Sequence, residues 1–196
     1  VLEAAIGACK GKKTSELSLF RSLHDRLQEH DLVLGDRFYC TFCDLAGLMQ
    51  KGIDCVFRLH ASRRADFRRG QRLGRYDHVV TWRRPSHRPE GMSKEEFAAL
   101  PRELQVRELQ VMVAIPGFRT RSLVIVTTLL DPLEFPAHEI AALYRRRWEA
   151  ELNLRSIKSV MQMDVLRCLS ADMVRKEIWM HFLAYNLLRS VMCAAA

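Results

Sequence analysis

The stretch YRRRWEAELNLRSIK, residues 144–158, holds four groups suited to phosphate chemistry: the Tyr144 phenol, the Arg147 guanidinium, the Glu151 carboxylate and the Lys158 ammonium. At about 100° per residue, a helix here brings all four within roughly 60° of one another. The same helix offers Ile140, Leu143, Leu154 and Ile157 to a core. The polar stripe therefore borders an apolar face and belongs at the edge of a cleft. A solvated helix would read similarly, because Arg147 and Glu151 have ion-pair spacing worth only roughly 0.2–0.5 kcal/mol. A second acid stands out in LVLGDRFY, where Asp36 ends a short apolar strand and Arg37 follows it.

The 196 residues are 48% hydrophobic, enough for a sizeable core in one domain, with or without an insertion. Lys+Arg outnumber Asp+Glu by 31 to 23, giving a formal net charge of +8, and arginine dominates the excess. Such a balance fits nucleic acid, an anionic membrane surface or acidic partners. No apolar run approaches the ~20 residues of a membrane span. Six cysteines are scattered without a disulfide framework, which points to a reducing cytoplasm. Cys40 and Cys43 form a lone CxxC without a partner pair and read as small core residues. VLEAAIG opens the chain in mid-strand without an initiator Met, so the sequence reads as a piece of a longer protein.

The elements follow from periodicity. A helix of about four turns begins at Thr14 or Ser15. Apolar strands cover DLVLGD and IDCVFRL, with a helix over about 41–51 between them. This alternation gives an α/β reading with a largely parallel sheet. Residues 61–131 change texture and read as a β-rich insertion. They comprise an arginine-rich loop with Arg63, Arg64, Arg68, Arg69, Arg72 and Arg75, a strand at DHVVTW, a helical patch opened by Ser93 and Glu96 in capping-box spacing, and a hairpin around PGFRTR. Helices then cover about 137–160 and 171–192.

The spacing Tyr-x2-Arg-x3-Glu-x6-Lys resembles the signature of bacterial DDE transposases of the insertion-sequence-four type. LVLGDRFY is similar to that family's second catalytic aspartate segment, and a β-rich insertion before the Glu helix is a further likeness. The resemblance covers essentially the whole chain. It implies a ribonuclease H-like α/β core, a mixed sheet flanked by helices, in two parts. Residues 1–60 would form the first part, with its first strand missing, and residues 132–196 the second, with 61–131 inserted between them.

The implied activity is cut-and-paste DNA transposition, by strand hydrolysis and then transesterification at transposon ends. Asp36 and Glu151 would be catalytic and bind metal, since in-line phosphodiester displacement uses carboxylates that hold two divalent ions. Oxygen ligands of this kind suit Mg2+, with Mn2+ possible. Tyr144, Arg147 and Lys158 would hold phosphates of the transposon end, and Arg37 would approach the scissile phosphate. Trp82 would stack on a flipped base, as an insertion-domain Trp does in relatives, or else serve as a core anchor. The partners implied are transposon-end and target DNA and a second copy of the chain in the synaptic complex. The setting implied is a bacterial cytoplasm, with nucleoid association when bound to DNA. The family's first catalytic Asp has no credible counterpart before Asp36, so it is expected outside the chain, leaving this fragment inactive alone. A non-catalytic DNA-binding remnant and an α/β nuclease of other substrate are the competing readings.

Overall fold

The computed structural model describes residues 3–7, 15–113 and 121–195. The chain divides into two compact units, Cys9–Arg147 and a second made of Val1–Ala8 with Trp148–Ala196.

In the first unit, α1 (Glu16–Leu23) is opened by Ser15, whose hydroxyl accepts the Ser18 N–H. It is shorter than the four turns expected and passes into a 3-10 turn at His24–Arg26. Just beyond, the Asp31 carboxylate accepts the Gln28 N–H at 2.8 Å, a local bond that competes with helix. Strand β1 (Leu32–Gly35) leads through Asp36 into α2 (Phe42–Gln50), capped by Thr41, and then into β2 (Asp54–Arg58). The rest of the sheet is β3 (Gln71–Gly74), β4 (Asp77–Arg83), β5 (Glu103–Val113) and β6 (Arg121–Thr127), with α3 (Lys94–Ala99) between β4 and β5. The Ser93–Glu96 capping box is formed in full, each side chain bonding the other's backbone N–H.

Among the described residues the six strands form one mixed sheet in the order β1-β2-β6-β5-β4-β3. Only β1 and β2 pair in parallel; every other pair is antiparallel. The expectation of a largely parallel sheet is therefore corrected. A parallel pair needs a crossover element, and α2 is the one crossover helix this sheet has among the described residues. Everything from β3 onward is joined as hairpins, and those strands extend the sheet of β1 and β2. The β5–β6 hairpin is present, and its turn at 114–120 lies outside the described residues. The strand expected at VLEAAIG is not seen in residues 3–7, which have no regular structure and no strand partner; Val1 and Leu2 lie outside the described residues.

Alternation along the strands sorts side chains onto two faces. One face carries Cys55, Phe57, Val126, Val106, Leu104 and Trp82 against α2. The other carries Val56, Ile125, Leu109, Leu123 and Val111 beneath Ile140 and Tyr144. Those last two residues belong to α4 (Ala137–Arg155). Two buried ionic groups brace the sheet. The Arg107 guanidinium forks onto Asp77 at 2.8 and 2.6 Å and also donates to the Phe135 carbonyl. Glu108 accepts from the Trp82 indole N–H at 2.9 Å and lies 3.1 Å from His78 Nε2.

In the second unit, α4 ends at Arg155 and a π-turn covers Ser156–Val160, with the Met161 N–H bonding the Ser156 carbonyl. The helix expected to run evenly to 160 is thus widened near its end, and a wider turn rotates less per residue. Lys158 is therefore turned away from the position that a continuous α-helix would give it. Ile157 is buried, whereas Leu154 is 48% exposed and is not the core residue expected. Helix α5 (Ala171–Ala194) is capped by Ser170. Its Glu177 carboxylate accepts the backbone N–H groups of Arg167 and Cys168 and so pins the preceding loop. Among the described residues no helix is long and apolar enough to cross a membrane.

Candidate active site

Asp36 stands where β1 leaves the sheet. Its Oδ1 accepts the Arg37 N–H at 2.7 Å and so caps the 3-10 turn Arg37–Tyr39. Gly35, just before it, lies opposite Phe57 of β2. A Cβ at Gly35 would run into the Phe57 ring. Glycine therefore lets the two strand ends approach beside Asp36.

The parallel register explains which side Asp36 takes. Leu34 pairs with Val56, and both contribute to the core under α4. Asp36, two residues after Leu34, continues on that side, and so does Arg58, two residues after Val56. Tyr144 of α4 lies over the same face. It is wholly buried, whereas Arg147 is half-buried and Glu151 and Lys158 are exposed. The Tyr144 hydroxyl makes no well-formed hydrogen bond among the described residues, although the Arg147 guanidinium lies close enough to interact with it. Burial pushes the Tyr144 phenol up; the Asp36 carboxylate adds to the rise, while Arg147 and Arg58 oppose it. All three charges thus lie close enough to act on one phenol. The Arg147 guanidinium is half-buried, 5.4 Å from the Tyr144 ring centroid.

The structure therefore brings together Asp36, Tyr144 and Arg147, with Arg37 exposed beside Asp36. It adds Arg58, which sequence reasoning missed. The available signal was a lone arginine closing an apolar strand, IDCVFRL, that runs parallel to the Asp36 strand. Glu151 and Lys158 are exposed and belong to the second compact unit. Trp82 lies on the other face of the sheet, 5% exposed, with the Arg63 guanidinium 3.9 Å above its ring. That is the core-anchor placement. Cys40 and Cys43 are buried, and burial pushes the Cys40 thiol up to about 12. They take the core roles expected of them.

Asp36 presents oxygen donors, and one of its carboxylate oxygens is not used by the cap, so the site suits a hard divalent ion in donor type. Among the described residues no group of three or more His, Cys, Asp or Glu stands in metal-binding geometry.

Comparisons with known proteins place the chain in a family. The chain is 28% identical over 186 residues to the "Transposase InsG for insertion sequence element IS4" of Escherichia coli strain K12. The match covers 94% of this chain and 40% of that relative, so the chain spans well under half the length of the transposase it matches. The family described as "Transposase DDE domain" matches residues 8–187. The match takes in the Asp36 strand, the whole sheet and the Tyr144–Lys158 segment, and the chain belongs to the DDE transposase domain family.

Proposed function

We propose that this chain forms part of a transposase catalytic core that cleaves DNA strands at transposon ends and joins them to target DNA. The observation that supports this most is the gathering of Asp36, Arg58, Tyr144 and Arg147 on one sheet face, at the carboxyl ends of β1 and β2. A carboxylate beside two guanidinium groups and a protonated phenol suits a phosphodiester that must be held while it is attacked.

In this reading Asp36 and Glu151 hold Mg2+ or Mn2+, which supplies activation of the attacking hydroxyl and stabilisation of the leaving oxygen. Tyr144, kept protonated by burial, donates its hydrogen bond to a phosphate oxygen of the transposon end. Arg147 and Arg58 neutralise the same phosphate, and Lys158 contacts the strand further along. Arg37 faces the scissile group from the turn after β1. Such contacts fix register without reading sequence. Two copies act together, one at each transposon end.

The test uses the full-length protein and a labelled duplex carrying the element's terminal sequence. With Mg2+, wild type nicks the strand at the end of the element; with chelator it does not. Absence of nicking on that duplex, with the protein folded and bound, would overturn the reading. Tyr144→Phe sharpens the test. Deleting a buried hydroxyl that makes no well-formed hydrogen bond removes a desolvation penalty, so the urea midpoint should change little or rise. Nicking should nonetheless fall by about 10- to 100-fold, the loss of one donor to a charged phosphate. A variant that nicks at the wild-type rate would remove Tyr144 from the site.

A further inference from the structure

Residues 61–75 carry six arginines against one aspartate, more than half of the chain's net charge in a short segment. They lie on the sheet face and edge away from Asp36, so the chemistry above does not use them. The segment is built onto the sheet at several points. Arg63 turns inward and covers the Trp82 ring at 3.9 Å. The His78 Nδ1–H donates to the Arg69 carbonyl at 2.7 Å, and His78 is itself buried against Glu108. The Phe67 ring packs on His78 and Tyr76, with centroids 4.7 and 5.7 Å away. Gly70 has φ +74, and a Cβ there would meet the Val79 carbonyl, so only glycine lets the loop lie this close to β4.

The anchored loop and β3, an edge strand of the sheet, present the remaining arginines outward. The Arg68 and Arg69 side chains are 90% and 83% exposed. Asp66 pairs with both, and it is the one carboxylate that the arginines of this segment pair with among the described residues. Arg64, Arg72 and Arg75 are exposed as well. A solvated loop would not require a buried Trp–Glu–His network and a strained glycine to hold its shape. A surface that must match a regular array of phosphates would, because fixed guanidinium groups lose less freedom on binding.

We propose that the 61–75 segment, an anchored loop with β3, is a sequence-independent clamp for the backbone of duplex DNA, separate from the cleavage site. Its choice of DNA over another polyanion rests on the transposase reading. Each arginine that neutralises a phosphate releases counterions, steepening the dependence of log K on log salt by about 0.9.

The test measures binding of full-length protein to a random-sequence duplex lacking the element's ends, over a range of salt. Replacing Arg64, Arg68, Arg72 and Arg75 by Gln should make the slope shallower by about 3 to 4 and weaken binding about tenfold or more at low salt. The corresponding four Arg→Lys replacements should keep the wild-type slope. If the fourfold Gln variant does not fold, the pair Arg64→Gln/Arg75→Gln carries the test, with an expected slope change of about 2. An unchanged slope in the folded Gln variant would overturn the clamp and leave the arginines as protection of an exposed sheet edge. Nicking of the labelled end duplex by wild type reports separately on the transposase reading. A slope change without nicking would sink that reading and leave the clamp standing. Nicking with an unchanged slope would sink the clamp alone.

Discussion

Replacing Asp36 by Asn is expected to lower strand cleavage at transposon ends by about 10^3-fold or more in the full-length protein, with end binding little changed. Asn has the same shape and its carbonyl oxygen still accepts the Arg37 N–H, so the cap of the turn after β1 survives. Folding should therefore shift by less than about 1 kcal/mol. What is lost is the negative charge that would hold a divalent ion, and metal assistance is worth several kcal/mol of transition-state stabilisation. A loss of about 4 kcal/mol is a thousandfold in rate. The same change removes a charge that raises the Tyr144 phenol, so binding of the anionic backbone should hold or tighten slightly. Cleavage at the wild-type rate by Asp36→Asn, with Mg2+ present, would contradict the assignment. Loss of binding together with cleavage would mean that Asp36 serves the fold and not the chemistry.

The second large effect concerns stability. Asp77→Ala should cost about 3–5 kcal/mol of unfolding free energy, because it strands a charge. Arg107 is fully buried, and both of its bonds to carboxylate run to Asp77. Single domains are stable by only about 5–15 kcal/mol, so the variant should be unfolded or nearly so at moderate urea. The double variant Asp77→Leu/Arg107→Met should recover most of the loss, since an apolar pair of similar volume needs no compensation. Urea unfolding of the two variants measures this directly. A cost below about 1 kcal/mol for Asp77→Ala would show that water reaches the Arg107 guanidinium after all.

The parts of this fold legible from sequence were those decided locally. The Ser93–Glu96 capping box is written within four consecutive residues and forms as read. Asp36 at the end of an apolar strand was legible, because strand, acid and following turn are contiguous. The helix after Thr41 and the hairpin of β5 and β6 follow from periodicity and turn chemistry alone. What was not legible depends on long-range register. Arg58 joins Asp36 only because β1 and β2 pair Leu34 with Val56. Trp82 packs in the core, and its N–H is received by Glu108, 26 residues away on the paired strand. The strand–helix–strand pattern at the start of the chain does not extend to β3–β6, which pair antiparallel. The π-turn at Ser156–Val160 leaves no mark in the residue pattern.

The central claim is that Asp36 and Glu151 share a divalent-ion site, and it has a direct measurement. Fe2+ substituted for Mg2+ in the full-length protein, with ascorbate and peroxide, cuts polypeptide next to the ion it replaces. Fragments ending near residues 36 and 151 are expected, suppressed by excess Mg2+ and lost in both Asp36→Asn and Glu151→Gln. Cutting at neither position, or at one of them with no dependence on the other residue, would contradict it.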